Sequence, residues 1–239
     1  MDMILLAKYF GAALAVAVGA VGCGVSEGFT AGKAAEAIAR QPRASSDILR
    51  MMLIGQAVTE TSGIFGLLVS ILLLFVVPSE GTHSTAFAYF AAGICMGIGG
   101  VGAGLGCGKA GSSACEAVAR QPRMSSSIIL TTLIGQAISQ TGAIFALVVS
   151  MLLLFMPPQS SNIGAIGAVL GAGCAMGFGA IGAGTFSGYA TASAVTGISH
   201  NASTSGMLLR IMLLGQAVEH AGAIYSLIIA FLLLLGQQQ

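Results

Sequence analysis

The chain has 239 residues, 56% of them hydrophobic and 7% charged, with nine basic and eight acidic side chains and a net charge of +1. A soluble domain carries about a quarter charged residues, so this chain cannot cover a globular surface, and its low charge also excludes disorder. The balance leaves no basic face for nucleic acid, and a mean hydropathy of +0.93 points to an integral, multi-pass membrane protein.

Six long apolar segments follow in chain order, predicted as helices near 4–38, 46–77, 84–118, 125–156, 163–198 and 204–236. Each exceeds the ~20 residues that a bilayer requires. Met1 to Ala20 has the look of a signal peptide, but similar segments recur twice downstream, so it reads as the first membrane helix. The first segment ends in Arg40-Gln41-Pro42-Arg43 and the second near Pro78, followed by the turn Ser79-Glu80-Gly81-Thr82-His83. The third ends in Arg120-Gln121-Pro122-Arg123 and the fourth at Pro157-Pro158, before Gln159-Ser160-Ser161-Asn162. The fifth closes on His200-Asn201-Ala202-Ser203. Basic residues collect at these first-helix turns, so by the positive-inside bias the turns face the cytoplasm and both termini the opposite side. Lys8 is the exception, expected to snorkel to the far interface. Cys23, Cys95, Cys107, Cys115 and Cys174 read as small buried helix residues, without metal-ligand or disulfide spacing.

Shifted by 80, the chain aligns with itself without a gap. Gly55-Gln56-Ala57 recurs as Gly135-Gln136-Ala137 and Gly215-Gln216-Ala217, and Ile64-Phe65 as Ile144-Phe145 and Ile224-Tyr225. The units are 1–80, 81–160 and 161–239, each a helical hairpin. Gly19, Gly22, Gly24 and Gly28 repeat as Gly99, Gly102, Gly104 and Gly108, then as Gly179, Gly182, Gly184 and Gly188. Such a row lets helix backbones approach closely and suits an inner wall, while the bulkier second helices suit lipid. The expected fold is all-α: six transmembrane helices in three tandem hairpins.

Glu27, Glu60 and Glu219 are the acids deep within predicted helices, while Asp2, Glu36, Asp47, Glu80 and Glu116 lie toward ends and turns. A carboxylate at bilayer depth costs about 3 kcal/mol, and an ion or proton pathway is its default explanation. Thr61 and Ser62 directly follow Glu60. Hydroxyls, a carbonyl and a carboxylate make the oxygen shell that Na⁺ needs, whereas a proton needs only the carboxylate. The competing reading is a protonated Glu that bonds neighbouring helices.

The glycine-rich first helix, the Ala-Arg-Gln-Pro turn and Gly-Gln-Ala-Val-x-Glu resemble the rotor-ring proteolipid, or c subunit, of rotary F-type ATP synthases, along essentially the whole chain. The resemblance implies a homo-oligomeric ring that turns against the a subunit of the stator in the bacterial inner membrane or an equivalent energy-coupling membrane. It implies a non-catalytic subunit, with no cofactor beyond the transported Na⁺ or H⁺. Glu60 then matches the ion-carrying carboxylate, Val58 the carbonyl ligand, and Thr61 and Ser62 the paired hydroxyls of Na⁺-binding members. Glu27 matches a first-helix position that carries Gln or Glu. Arg40, Gln41 and Pro42, with Arg120, Gln121 and Pro122, match the turn that grips the central stalk of the soluble head. Phe65 stands where the family often has Tyr, so one hydroxyl bond to the carboxylate is absent.

The other copies are altered at the key positions. Glu60 is replaced by Gln140 and His220, and Glu27 by Cys107 and Ser187; Thr141 retains the first hydroxyl. Glu219 falls one residue early, about 100° around its helix. One carrier per three hairpins implies few ions per ATP at a head with three ATP sites, a rotor suited to ATP-driven pumping. Gln140, Thr141, Glu219 and His220 remain secondary ion-site candidates. Two arrangements stay open for Glu27: pairing with Gln140 or His220 of a neighbouring hairpin, or sharing one site with Glu60. His220 reads as a neutral structural histidine. Against the rotor stand a non-rotary pore-forming proteolipid and a self-contained secondary transporter. Transporters commonly use inverted repeats, and these are parallel.

Overall fold

The computed structural model describes residues 2–236. Six helices are long and apolar enough to cross a membrane, and all described secondary structure is helical. Helix α1 (Asp2–Arg40) leads through a short 3₁₀ turn (Pro42–Ala44) into α2 (Ser45–Ile71), which finishes in one wider turn over Leu72–Val76. The second hairpin is α3 (His83–Arg120) followed by α4 (Ser125–Ser139) and α5 (Thr141–Phe155); the third is α6 (Ile163–His200), α7 (Ser205–Glu219) and α8 (Ala221–Leu235). The predicted boundaries hold to within a few residues. The difference is that the second helix of hairpins two and three is interrupted at Gln140 and His220, where hairpin one runs continuously through Glu60.

The termini of these helices follow from their turn residues. Pro42 and Pro122 stand at the start of their 3₁₀ turns, where a missing N–H costs nothing. Thr82 and Thr85 form a reciprocal capping box at the start of α3, and the Asn162 side chain accepts from the Ala165 N–H at 2.7 Å at the start of α6. Gly81 has φ +153°, a backbone setting that side chains resist, which lets the outer turn reverse before Thr82.

Helices α1, α3 and α6 lie side by side as an inner layer. The glycines make that contact: a Cβ on Gly22 would stand 2.6 Å from the Val101 Cα, and one on Gly102 2.5 Å from the Ile181 Cα. Backbones touch where lipid leaves dispersion as the main packing force. The second helices form the outer layer, tied inward by Ser70 Oγ donating to the Ala12 carbonyl (2.6 Å) and Ser150 Oγ to Ala92 (3.0 Å). In hairpin three the same position is Ala230. Leu67, Ile71, Leu74 and Phe75 are exposed on α2 and its last turn, as lipid-facing residues should be.

Two expectations need correction. Lys8 does not snorkel: it is 4% exposed and donates to the Val77 carbonyl at 2.8 Å and to Ser79 Oγ at 3.0 Å. It is held at the end of the second helix because helix C-termini leave carbonyls unpaired and attract cations. Four cysteines are buried as expected, but Cys174 is exposed.

Candidate functional site

Midway along the hairpins, one glutamine per repeat fastens the two layers. Gln56 Nε2 donates to the Glu27 carbonyl at 3.1 Å, Gln136 to Cys107 at 2.9 Å and Gln216 to Ser187 at 3.0 Å. The same amides reach across hairpins: Gln136 donates to the Gly55 carbonyl at 3.2 Å and Gln216 to Gly135 at 3.3 Å. Gln136 and Gln216 are fully buried. Sequence reasoning used these glutamines as repeat markers and as part of the Gly-Gln-Ala-Val-x-Glu motif, without assigning their partners. Their identity in three otherwise diverged copies was the available signal, since an amide at that depth must have partners.

One helical turn further, the position of Glu60 shows its geometry most clearly where Glu is absent. Gln140 Nε2 donates to the Val58 carbonyl of the preceding hairpin at 2.8 Å and lies 3.4 Å from the Cys107 Sγ of its own. His220 repeats the arrangement: Nε2 is 3.1 Å from the Ile138 carbonyl of the preceding hairpin, and Nδ1 2.8 Å from the Gln216 carbonyl of its own helix. Each side chain therefore reaches the carbonyl two positions earlier in the hairpin before it. Both are nearly enclosed, at 5% and 7% exposed.

Glu60 has no preceding hairpin within the chain, and its side chain is exposed. Glu27, on the facing helix of the same hairpin, is half-buried, with Oε1 enclosed and unpartnered. Within the chain, Gln140 is taken up by Val58 and Cys107 rather than by Glu27.

The remaining predicted ligands are distributed differently. The Val58 carbonyl faces Gln140 rather than Glu60. Ser62 is fully buried against its own hairpin, donating to the Thr59 carbonyl at 3.2 Å with Cys23 Sγ at 3.3 Å from its hydroxyl. Thr61 and Thr141 are half-buried at matching positions. Glu219 is half-buried with Oε1 enclosed and unpartnered. Among the described residues, no three His, Cys, Asp or Glu side chains converge as a metal site would require.

At the opposite end, the first two turns are joined by charge. Glu116 lies 3.7 Å from Arg40, 3.5 Å from Arg120 and 3.3 Å from Lys33, while Glu36 pairs with Lys33 at 2.9 Å. Gln41 and Gln121 share one backbone setting (φ −137° and −136°), which presents Pro42 and Pro122 alike. The third turn is neutral, with Asn201 Oδ1 accepting from the Ser203 N–H and hydroxyl.

Parallel hairpins stacked through glycine contacts and sealed midway by side-chain-to-carbonyl bonds make this a multi-pass membrane proteolipid. The chain belongs to the ATP synthase subunit-C family, whose model matches residues 10–73, 90–153 and 170–233, one match per hairpin. It is 33% identical to the K subunit of the A-type ATP synthase of Methanocaldococcus jannaschii over 94% of both chains. It is also 52% identical over 77 residues to the ATP synthase c subunit of Alkaliphilus oremlandii, covering 32% of this chain and 86% of that one. The ATP synthase c subunit of Natranaerobius thermophilus matches at 49% over 80 residues, 34% of this chain and 92% of that relative. Short relatives thus correspond to one hairpin and the archaeal one to all three. Membership places the chain as a non-catalytic rotor-ring subunit of a rotary ATP synthase.

Proposed function

We propose that this chain carries one cation, Na⁺ or in its absence H⁺, on Glu60 with Glu27 beside it, and that ring rotation moves this ion past the a subunit of the stator. The observation that supports the reading is the contrast at one repeat position. Gln140 and His220 put no carboxylate at this position and are bonded to the preceding hairpin, while Glu60 is the one carboxylate and meets no preceding hairpin within its own chain. A neutral amide donating to the Val58 carbonyl holds that position without a charge, so it cannot balance a bound cation as a carboxylate does. Two adjacent carboxyls, by contrast, offer oxygen ligands to a hard cation and can alternatively share a proton.

The Arg-bearing turns face the cytoplasm and meet the central stalk, which leaves Lys8 and the Val77 end at the opposite surface. Arg40 and Arg120 are held by Glu116 and present Gln41, Pro42, Gln121 and Pro122 outward; the neutral third turn makes one contact in three different. One carrier per three hairpins lowers the ions moved per ATP, so each ATP sustains a steeper gradient while synthesis demands a larger driving force. The rotor is suited to ATP-driven pumping.

The test is ATP-driven uptake by the whole complex in sealed vesicles, with Na⁺ and H⁺ followed separately. Na⁺ uptake that persists when a protonophore collapses the pH gradient, and that Glu60→Gln abolishes, is the expected result. Uptake of H⁺ alone, indifferent to Na⁺, makes this a proton rotor. Undiminished uptake by the Glu60→Gln complex overturns the assignment.

A further inference from the structure

His220 stands where the second hairpin has Gln140 and the first has Glu60, and both of its ring nitrogens meet carbonyl oxygens. Nδ1 lies 2.8 Å from the Gln216 carbonyl, one turn back on its own helix, and Nε2 lies 3.1 Å from the Ile138 carbonyl of the preceding hairpin. A carbonyl oxygen accepts and cannot donate, so each contact calls for an N–H on the ring. The neutral imidazole expected from burial has one N–H and would turn a lone pair onto the other oxygen; an imidazolium has two. Turning the ring over does not help. Carbons would then stand at those distances, inside the roughly 3.3–3.6 Å of a C–H···O contact. Gln140 meets the same demand without charge, because its Nε2 has two hydrogens for the Val58 carbonyl at 2.8 Å and the Cys107 Sγ at 3.4 Å. Histidine needs an added proton to do what the amide does with its own.

We propose that His220 binds a proton and stays an imidazolium as the ring turns, with Glu219 as the carboxylate that balances it. An unbalanced charge at this depth is costly, and the elements around His220 offer little choice. Helices α4, α5, α6 and α8 contain no acid, lysine or arginine. Their titratable side chains are Cys174, Tyr189 and His200 on α6 and Tyr225 on α8, all of them exposed. On α7, Arg210 is exposed near the Asn201 turn, which leaves Glu219. Its carboxyl lies against Ser187 of α6, with Oε1 enclosed and unpartnered. Ser187 is also held by Gln216, whose Nε2 donates to its carbonyl at 3.0 Å and its hydroxyl at 2.7 Å, and the Gln216 carbonyl faces His220 Nδ1. Imidazolium and carboxylate thus border the same two residues, and opposite charges so placed attract strongly where little water screens them.

Three equivalent positions then have three charge states: an acid that takes a cation in hairpin one, a neutral amide in hairpin two and a cation in hairpin three. The fixed positive charge repels Na⁺ from the third position. It also gives a mid-membrane acid, Glu219, a role other than carrying an ion. The bound proton follows from the contacts of His220 and holds whether Glu60 carries Na⁺ or H⁺.

The test is nitrogen NMR of the assembled ring in lipid, with the histidine ring nitrogens labelled, at a pH at which the complex drives ion uptake. The His220 signals are those lost in His220→Gln; if that variant does not assemble, His83→Gln/His200→Gln leaves His220 as the sole histidine. Two N–H signals from His220, unchanged as Na⁺ is added, are the expected result. One N–H and one bare nitrogen overturn the bound proton, and a second N–H that disappears as Na⁺ is added overturns its permanence. Glu219→Gln should remove one N–H from His220, while Glu219→Asp should retain both. Two N–H signals in the Glu219→Gln ring overturn the balancing role of Glu219 and support the proton by itself.

Discussion

Adding a single methyl group separates what holds one chain together from what joins it to the next. A methyl on Gly104 would come 2.8 Å from the Gly22 carbonyl carbon and 3.0 Å from the Cys23 nitrogen, both backbone atoms that cannot turn aside. At Gly184 the same group would lie 2.6 Å from the Ala103 nitrogen. At Gly24 it meets nothing within 4 Å. Overpacking of this kind costs about 1–3 kcal/mol. Gly104→Ala should therefore destabilise the single chain, while Gly24→Ala should leave it as stable or gain the roughly 0.8–1 kcal/mol by which Ala exceeds Gly in a helix. The Gly24→Ala penalty appears only where copies meet. At about 1.4 kcal/mol per tenfold, each junction weakens by roughly 5–150-fold. The assay pairs helical thermal melts of chains dispersed in detergent with the fraction of intact ring by native mass spectrometry. Gly24→Ala rings as robust as native, or a dispersed Gly24→Ala chain that melts early, would refute the reasoning.

Three further outcomes are expected. Gln136→Leu loses donors to two buried carbonyls, Gly55 at 3.2 Å and Cys107 at 2.9 Å; it should destabilise the dispersed chain by about 1–3 kcal/mol, measured by denaturant in mixed micelles, and by more than Gln56→Leu, which removes one. Gln140→Glu replaces the amide that satisfies the Val58 carbonyl with an acceptor, so a cation must enter to bridge the two oxygens; the variant should acquire a second carbodiimide-reactive carboxyl per chain and move more ions per ATP. Lys8→Met strips the charged donor from the Val77 carbonyl and Ser79 at the end of the second helix, a loss of about 1.5–3 kcal/mol that should show as early hydrogen exchange there.

Much of the architecture could be read from the residues because the repeat is gapless. Once Gly55-Gln56-Ala57 was seen three times, the parallel hairpins, the inner glycine wall and the place of Glu60 followed, and the six helices lie where apolar length and the turns at Pro42, Pro122 and Asn201 put them. What could not be read is which neighbour each side chain meets. Periodicity places Val58 and Glu60 on one helix, but that the Val58 carbonyl turns to Gln140, 82 residues on, depends on how hairpins stack. The same holds for Glu219: an offset of about 100° separates it from the Glu60 register on its own helix and says nothing about which neighbours it meets. Lys8 illustrates the complementary failure. Its position near an interface suggests snorkelling, and only the fold reveals an unpaired carbonyl at Val77 close enough to hold it.

The number of carriers per chain bears most directly on all of this. Purified ring would be titrated with a fluorescent carbodiimide, labels counted per chain by intact mass and located by fragmentation, and ATP-driven ion uptake measured at each level of labelling. One label per chain, on Glu60, with uptake lost in step, is the predicted result. Uptake that survives full labelling of Glu60, or that falls only as a carboxyl outside the Glu27, Glu60 and Glu219 group reacts, would contradict it.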